Sequence, residues 1–304
     1  MAIDTEAARL LLGMSTTGVS FTRTVMLGRQ SLLLSDREIL GLMRDFRLGE
    51  DKCRDVLAGS YPNRYSEAFF KLLGAKEIDS IDASDFEGAT IVHDLNGPVP
   101  EAIRGRYDVV YDGGTIEHIF SSQTALQNCM DLAKVGGRVC LHTPANNYFE
   151  HDFYQFSPEL FFRVFSESNG FEVERMVAVE YGPRRRWYQV IDPERARARG
   201  PLINPFPVLL FMQARKTAQV PLFRRVPQQS DYSALWAQHE QHPEDGAAGR
   251  PSALSRGILR VKSVLLERFP GLARALESLM FSQLNRGFSL RNRAAFVPID
   301  KRAR

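Results

Sequence analysis

The sequence predicts an α/β protein with a doubly wound, mostly parallel β-sheet, and three observations lead to this fold class. Short apolar runs alternate with helical patterns through the middle of the chain, which is typical of strands covered by helices. The run Tyr107–Tyr111 (YDVVY) is compact and rich in β-branched residues, as expected of a strand buried on both faces. Helix caps separate these runs: Ser35 is followed three residues later by Glu38, which predicts a capping box.

This alternation predicts seven strands with helices between them. The strands are expected at Thr22–Leu27, Glu77–Asp82, Thr90–His93, Tyr107–Tyr111, Arg138–His142, Phe171–Glu180 and Pro207–Ala214. The helices are expected at Ser35–Phe46, Tyr65–Leu73, Ser121–Lys134 and from Ser157-Pro158 to Asn169-Gly170. Gly74 and the pair Gly136-Gly137 stop two of these helices, and Pro144 ends the fifth strand.

Charge and composition divide the chain into four predicted parts. We expect an N-terminal helical segment (1–19), an α/β domain (20–216), a linker rich in Gln, Pro, His and Gly (217–252) and a basic amphipathic helical tail (253–304). From Thr217 onward 14 Lys and Arg stand against 7 Asp and Glu, a net charge of +7, so the rest of the chain carries −4. This asymmetry favours a separate C-terminal module.

The bulk composition argues against several classes of protein. Hydrophobic residues make up 44% of the chain, enough to build a core without a disulfide or a metal. The three cysteines, Cys53, Cys129 and Cys140, show no CxxC spacing, which argues against a disulfide framework and a zinc knuckle. The sequence shows no signal-peptide pattern and no stretch of about 20 apolar residues, so a cytoplasmic location is expected.

Candidate ligand-binding residues follow the strands, because open parallel sheets bind ligands outside the carboxyl ends of their strands. Gly28 follows the first strand and permits a tight turn. Asp82 ends the second strand, where a carboxylate can accept hydrogen bonds from a ribose diol. Asp94 and Leu95 follow the third strand, where they could read and cover an adenine ring. Each position also has a plain structural interpretation, as a strand-to-helix turn, a cap or an Asx turn.

The fourth predicted strand runs into the sequence DGGTIEH. Its members Asp112, Gly113 and Gly114 are candidate cofactor-binding residues, since two glycines allow a ligand to approach the backbone closely. His118 is the candidate general base, because an imidazole ordinarily titrates near neutral pH. The alternative is that Glu117 bonds to local amides and His118 packs against the fold.

The loop after the fifth strand is dense in polar and aromatic side chains, as expected of an acceptor-binding lip or of capping before the next helix. Its candidate substrate-binding residues are Asn146, Asn147, His151 and Tyr154. His142, His151 and Asp152 lack the spacing of metal ligands, and we predict no metal site. The insertion 183–200 contains six arginines, which suit either an anionic substrate or a solvated charged loop.

These motifs resemble class I S-adenosylmethionine-dependent methyltransferases. YDVVYDGGTIEHIF, a helix and KVGGRVCLHTP resemble the block from the fourth to the fifth strand of that family. The resemblance is strongest over Asp79–Pro144 and looser over residues 20–216, and DASDFEGATIVHDLN with HDFYQFSPELF resembles a bacterial branch of these enzymes. It implies a Rossmann-like seven-stranded sheet and S-adenosylmethionine as cofactor, with the ribose at Asp82 and the adenine at Asp94 and Leu95.

The first loop departs from the pattern of this family. The family has an acidic residue and a run of glycines at the end of its first strand, whereas this chain reads MLGRQSL, with one glycine and no acid. About 50 residues also separate this strand from Asp82, more than the family's usual spacing. Gly28 and the stretch Asp112–Gly114 remain as candidates for binding the methionine part of the cofactor.

Two functions are carried forward from the sequence. The first is S-adenosylmethionine-dependent methyl transfer to a small-molecule or sugar-containing (glycan) acceptor, a reaction that depends mainly on placing the nucleophile in line. The alternative is a non-catalytic binding or scaffold protein on a degenerate version of the fold, which predicts no saturable cofactor binding. A nicotinamide oxidoreductase is disfavoured because no GxGxxG follows any strand.

The C-terminal segment SRGILRVKSVLLERF has basic and apolar faces at helical spacing. Three interpretations stay open: it lies on an anionic membrane surface, docks on a protein partner, or packs on the α/β domain. Nucleic-acid binding is not indicated, since the basic residues are not interleaved with aromatic ones.

Overall fold

The computed structural model describes residues 2–59, 64–196, 200–233, 236, 263–264, 266–280, 282 and 285–301. The chain divides into two compact units. The first comprises Met1–Gln189, Phe206–Val226 and Pro298–Arg304, and the second comprises Val190–Pro205 and Pro227–Val297. All residues of the candidate site described below belong to the first unit.

Eleven strands are present in the described part of the chain. They are β1 (Ala2–Ile3), β2 (Arg23–Leu27), β3 (Ser31–Leu32), β4 (Glu77–Asp82), β5 (Ile91–Val92), β6 (Tyr107–Asp112), β7 (Ala133–Asn146), β8 (Phe171–Glu180), β9 (Arg186–Val190), β10 (Val208–Lys216) and β11 (Phe296–Ile299). Nine form one sheet in the order β11-β9-β8-β10-β7-β6-β2-β4-β5, while β1 and β3 form a separate parallel pair.

The Rossmann-like part of the prediction is supported by the order of five strands. Apart from the short β1 and β3, the first five strands along the chain are β2, β4, β5, β6 and β7, and their spatial order is 3-2-1-4-5. This is the order of the first five strands in doubly wound dinucleotide-binding folds. All four neighbouring pairs are parallel, so their carboxyl ends meet at one edge.

The prediction of seven mostly parallel strands is wrong in detail. The described sheet has nine strands, and β10 runs antiparallel to both of its neighbours, β7 and β8. One extra strand, β9, forms inside the arginine-rich insertion because Trp187, Tyr188 and Val190 favour an extended chain and are buried there. The other, β11, comes from the tail that was predicted to be helical, and Pro298 is tolerated in it because it is an edge strand.

β7 extends beyond both predicted ends of the fifth strand. The preceding helix stops at Leu132, and Gly136-Gly137 lie within the strand rather than after a helix. Pro144 does not end the strand, because Leu209 of β10 pairs with it, next to a register shift between Val208 and Leu209. The Pro144 carbonyl also accepts a hydrogen bond from the Phe156 N–H at 2.9 Å. The partner strand therefore outweighs the local proline signal.

Eight α-helices are present in the described residues. They are α1 (Thr5–Thr16), α2 (Asp36–Asp45), α3 (Glu50–Ala58), α4 (Glu67–Leu72), α5 (Ser122–Leu132), α6 (Pro158–Val164), α7 (Pro193–Ala196) and α8 (Pro270–Met280). The predicted capping box at α2 is confirmed: Ser35 N–H donates to Glu38 at 2.9 Å, and the Ser35 hydroxyl accepts from Glu38 N–H. The predicted start of α6 is confirmed too, with Ser157 as cap and Pro158 at the first position.

The N-terminal helix α1 belongs to the core of the first unit. Asp4 caps it by accepting hydrogen bonds from the Glu6 and Ala7 N–H groups at 3.1 and 2.9 Å. Its apolar residues Leu10 and Leu11 are buried in a cluster with side chains of the large sheet. This burial explains why a segment of only 12 residues forms a stable helix.

The second unit contains α7 and α8. Two hydrogen bonds connect its segments, from Ile191 N–H to the Ala295 carbonyl and from Ile203 N–H to the Phe288 carbonyl. The chain is not helical at Phe269, directly before α8. Residues 255–262 and 265 of the predicted basic helix, and half of the predicted linker (234–235 and 237–252), lie outside the described residues. No helix in the described part of the chain has the length and apolar character needed to cross a membrane.

A glycine inside β7 provides a test of this packing. A Cβ at Gly137 would lie 2.7 Å from the Tyr107 carbonyl oxygen and 3.0 Å from that of Lys134, both backbone atoms that cannot swing away. Gly137→Ala is expected to lower the free energy of unfolding by about 1–3 kcal/mol in chemical denaturation. Gly41→Ala, in α2 with no atom within 4 Å of the new Cβ, is expected to raise it by about 0.5–1 kcal/mol. Equal stability of the two variants would contradict the described course of β7.

Candidate functional site

The candidate site lies where three neighbouring strands, β4, β2 and β6, end at the same height in the sheet. In the sheet Leu27 lies opposite Ile81 of β4 on one side and opposite Asp112 of β6 on the other. The predicted residues Gly28, Asp82 and Asp112 therefore come to the same carboxyl edge. Gly28 makes the turn there with φ +66°, and its N–H donates to the Ile81 carbonyl at 2.7 Å.

The loop after β2 differs from a phosphate-binding loop. The chain passes through Arg29 and Gln30 directly into β3, and the next helix, α2, begins only at Asp36. Dinucleotide-binding folds place the pyrophosphate on the N-terminus of the helix that follows the first strand. No helix begins at this strand end, so its geometry does not provide that phosphate site.

Gln30 is a residue that the sequence reasoning did not single out. Its side chain is fully buried, and its amide nitrogen donates to the Leu27 carbonyl at 2.5 Å and to the Thr115 hydroxyl at 3.4 Å. Its amide oxygen has no hydrogen-bond partner and would lie 2.6 Å from a Cβ on Gly113. Gln30 thus connects the loop after β2 to the Gly113-Gly114 loop, and a side chain at position 113 would require Gln30 and Tyr111 to move.

Two buried carboxyl groups lie beside these glycines. Asp112 is fully buried, and one of its oxygens accepts from the Thr115 and Ile116 N–H groups at 3.0 and 3.3 Å, while the other has no partner. Glu117, in the 3₁₀ turn Ile116–His118, is also buried and has one carboxyl oxygen without a partner. Unpartnered buried polar atoms cost free energy and are typical of ligand sites.

The pKa values of this pair are both shifted upward. Burial raises the pKa of Asp112, although the hydrogen bonds from the Thr115 and Ile116 amides oppose the shift. Burial also raises the pKa of Glu117, and the nearby charges of Asp112 and Asp152 raise it further. A cation bound between these groups would favour their charged forms.

A second cluster adjoins Glu117 and contains the predicted base. His118 is exposed, and its ring centroid lies 5.8 Å from that of His151, which in turn lies 5.6 Å from the Tyr148 ring. Desolvation lowers the pKa of His118, and the neighbouring Asp152 only partly opposes this. Both carboxyl oxygens of the half-buried Asp152 lack a hydrogen-bond partner, and burial raises its pKa.

Backbone hydrogen bonds hold the two clusters together. The N–H groups of Phe153 and Tyr154 both donate to the Glu117 carbonyl, at 3.1 and 3.2 Å, and the Tyr154 hydroxyl donates to the Phe120 carbonyl at 2.7 Å. The loop after β7 is therefore fixed to the loop after β6. The structure brings His118, His151 and Tyr154 together, as an acceptor-binding lip requires.

The other predicted site residues take part in hydrogen bonds outside the acid pair and the histidine cluster. Asp94 is exposed and forms an Asx turn, accepting from the Asn96 N–H at 2.9 Å, and Leu95 is buried with its carbonyl bonded to Asn128. Asp82 is half-buried and accepts from the Ala83 N–H. The Asn147 amide donates to the Phe206 carbonyl at 2.9 Å.

Asn146 ends β7. Among the residues that the structure describes, no group of three or more His, Cys, Asp or Glu side chains is arranged to hold a metal ion.

A separate cavity of about 440 Å³ adjoins β9. Its charged walls include Arg9, Arg186 and Lys301, and each of these cations pairs with a carboxylate: Asp45 at 2.6 Å, Glu180 at 2.7 Å and Glu6 at 2.9 Å. This pairing offsets most of the positive charge, so the cavity gives little support to an anionic substrate. Arg197 and Arg199 of the insertion lie outside the described residues.

Comparison with known proteins gives fold-level similarity only. No protein-family model matches the chain, and no curated protein matches it. One similar solved structure is the branched-chain polyamine synthase of Thermus thermophilus, which overlaps 74% of this chain at 15% identity with a TM-score of 0.37. Another is a 1,6-didemethyltoxoflavin-N1-methyltransferase of Burkholderia thailandensis, where the overlap covers 70% of this chain and 80% of that one at 14% identity with a TM-score of 0.36. A variant of a 16S rRNA (adenine(1408)-N(1))-methyltransferase from Catenulisporales acidiphilia overlaps 73% of this chain and 95% of its own at 11% identity and TM-score 0.36.

The chain spans 59% of the length of the Thermus enzyme. Methyltransferases, the family that the sequence resembles, thus recur among the similar structures. Overlaps with TM-scores below 0.5 define no function. The strand order by itself defines a doubly wound α/β sheet, a fold whose ligands bind outside the carboxyl ends of the strands.

The buried acids predict an unusual dependence of stability on pH. Because folding raises the pKa of Asp112, this group stabilises the native state fully below its ordinary pKa of about 4, and that contribution is lost as the pH rises through the folded-state pKa. Asp112→Asn cannot ionise, so it is expected to gain roughly 1–3 kcal/mol relative to the unmodified chain between pH 5 and pH 8 in urea unfolding.

Asp108 is a matched control on the same strand. Its burial is outweighed by hydrogen bonds from Lys134 and from the Arg23 N–H, which lower its pKa. Its stabilising contribution is therefore present above its ordinary pKa, and Asp108→Asn is expected to lose stability at neutral pH. If Asp112→Asn and the unmodified chain showed the same pH dependence, the assignment of a buried, upward-shifted Asp112 would be wrong.

Proposed function

We propose that this protein is an S-adenosylmethionine-dependent methyltransferase that acts on a small molecule. The observation that carries the proposal is the buried acid pair Asp112 and Glu117 at the carboxyl end of β6, next to Gly113-Gly114, in which each acid has one oxygen without a hydrogen-bond partner. S-adenosylmethionine carries a sulfonium and an ammonium group and no phosphate. A crevice with buried carboxyl groups and no phosphate-binding helix end suits such a cofactor better than a dinucleotide.

Particular residues would hold the parts of the cofactor. Asp82 at the end of β4 is positioned for the ribose diol, and the turn at Asp94 and Leu95 follows the neighbouring β5 and would border the adenine. Gly28 and Gly114 allow close approach of the methionine part, and Asp112 would meet its positive charge. Gly114 has φ +99°, a conformation that favours glycine.

The chemistry required of the protein is modest. When bound, S-adenosylmethionine supplies an activated methyl group, so the chain must mainly orient the acceptor. His118 is the candidate base, since its lowered pKa leaves it largely neutral at pH 7 and able to accept a proton. Its neighbours His151, Tyr148 and Asp152 would line the acceptor side of the crevice.

The alternative of a non-catalytic scaffold gains no support from the site. Burying Asp112 and Glu117 without partners for one oxygen each destabilises the fold, by about 1–3 kcal/mol per group. A non-catalytic scaffold has no function that would offset this loss of stability. A cation-binding site explains it, because strained or unsatisfied groups tend to be retained where they bind a ligand.

Calorimetric titration with S-adenosylhomocysteine tests this proposal. The full chain is expected to bind the compound saturably. Asp82→Ala is expected to weaken binding at least tenfold, since charge-assisted hydrogen bonds contribute roughly 1.5–3 kcal/mol. Asp85→Ala is the matched control, because Asp85 is an exposed acid in the same loop and should bind like the unmodified chain. Absence of binding by the folded, unmodified protein would reject the proposal.

A further inference from the structure

The loops after β6 and β7 contain buried carboxyl oxygens that have no hydrogen-bond partner. Glu117 is 98% buried and lies within electrostatic reach of both Asp112 and Asp152, and one of its oxygens is unbonded. Asp152 has neither carboxyl oxygen bonded, although both atoms are buried. The charge of Asp152 therefore acts on Glu117, and one oxygen of Glu117 and both oxygens of Asp152 have no hydrogen-bond donor.

The chemistry of this pair selects the charge of its ligand. Two buried carboxyl groups repel an anion and raise each other's proton affinity. An ammonium group reverses both effects, because it donates up to three hydrogen bonds and compensates the negative charge. No lysine or arginine is hydrogen-bonded or paired to Glu117 or Asp152 in the described residues. His118 and His151 offset the burial of Asp152 only in part, so an ammonium ligand would supply charge compensation that the acidic pair lacks.

Exposed aromatic side chains lie in the same two loops, after β6 and after β7. Phe120 and Phe153 pack edge to face with ring centroids 6.2 Å apart, yet they remain 74% and 67% exposed, and Phe149 is 91% exposed. Three exposed phenylalanines beside a polar cluster are unusual for a loop that only connects two elements. They offer a surface for an apolar or aromatic body and for cation–π contact with its charged end.

We propose that the acceptor is an amine with an aromatic or apolar body, whose ammonium group binds between Glu117 and Asp152 and gives its proton to His118. This inference rests on the proposed function, and it narrows the acceptor to one chemical class. Phe120, Phe149 and Phe153 contact the body of the amine. The predicted residues His151 and Tyr154 line the passage between the two.

The reaction balances with the groups named. A neutral ring nitrogen of His118 takes one proton from R–NH₃⁺, which leaves R–NH₂ with a lone pair. The amine nitrogen then forms a bond to the methyl carbon as the carbon–sulfur bond breaks, and the electron pair of that bond stays on sulfur. The products are R–NH₂CH₃⁺ and S-adenosylhomocysteine, and the imidazolium of His118 returns its proton to water.

A panel of matched acceptors tests the inference on the full chain saturated with S-adenosylhomocysteine. The amines are phenethylamine, tryptamine and octylamine, and each is compared in calorimetry with the alcohol and the carboxylic acid of the same carbon skeleton. At least one amine is expected to bind ten times more tightly than its alcohol, and the acids should not bind. With S-adenosylmethionine, mass spectrometry should then detect the N-methyl product of that amine.

Variants separate the roles of the acidic pair and the base. Asp152→Asn removes a charge but no hydrogen bond, and it is expected to weaken amine binding about tenfold while leaving the affinity for S-adenosylhomocysteine unchanged. His118→Gln is expected to lower kcat about a hundredfold and leave amine binding intact. Asp85→Asn, an exposed acid outside the cluster, serves as the control and should change neither quantity.

The possible outcomes are distinguishable. If S-adenosylhomocysteine binds but no amine does, or if alcohols bind as tightly as amines, the amine inference is overturned and the proposed function stands. The same holds if Asp152→Asn weakens amine and alcohol binding equally. If S-adenosylhomocysteine itself fails to bind, the proposed function is rejected and the inference falls with it.

Discussion

The parallel register of β2 between β4 and β6 is the constraint on which the rest of the site depends. Leu27 is paired with Ile81 on one side and with Asp112 on the other, so one residue fixes the level of both neighbouring strand ends. The Leu27 carbonyl accepts hydrogen bonds from the side chains of Gln30 and Thr115. A shift of one residue in this register would turn Asp112 to the other face of the sheet and separate it from Glu117.

The first residues of the chain reinforce this edge. Ala2 N–H donates to the Gly113 carbonyl at 3.0 Å, and Ile3 pairs with Leu32 in the small parallel sheet. Asp4 caps α1 and also accepts a hydrogen bond from the hydroxyl of Tyr181, at the end of β8. The loop that carries the glycines is thus supported from the N-terminal segment as well as from β2. The site is held by contacts between residues far apart in sequence, as pre-organised binding requires.

Local sequence signals predicted several of the elements but none of these contacts. The capping box at Ser35, the buried strand from Tyr107 and the start of α6 were predicted correctly because each depends on a few neighbouring residues. The path of β7 through Pro144 was missed because an antiparallel partner 65 residues later decides it. Gln30 was missed because its partner Thr115 is 85 residues away, and nothing in the local sequence MLGRQSL indicates that pairing. An unpartnered buried Glu117 is likewise visible only after the fold has placed Asp152 beside it.

Asp108 differs from Asp112 and Glu117 in the hydrogen-bond partners that stabilise its carboxyl group. Asp108, at the start of β6, has Lys134 and the Arg23 amide as partners, and its charge contributes to folding. Asp112, at the other end of the same strand, has amide partners for one oxygen only. Its neighbour Glu117 is equally incomplete. One end of β6 therefore has a paired acid and the other end has unpaired carboxyl oxygens, and this contrast supports the proposal of a cationic ligand at the carboxyl edge.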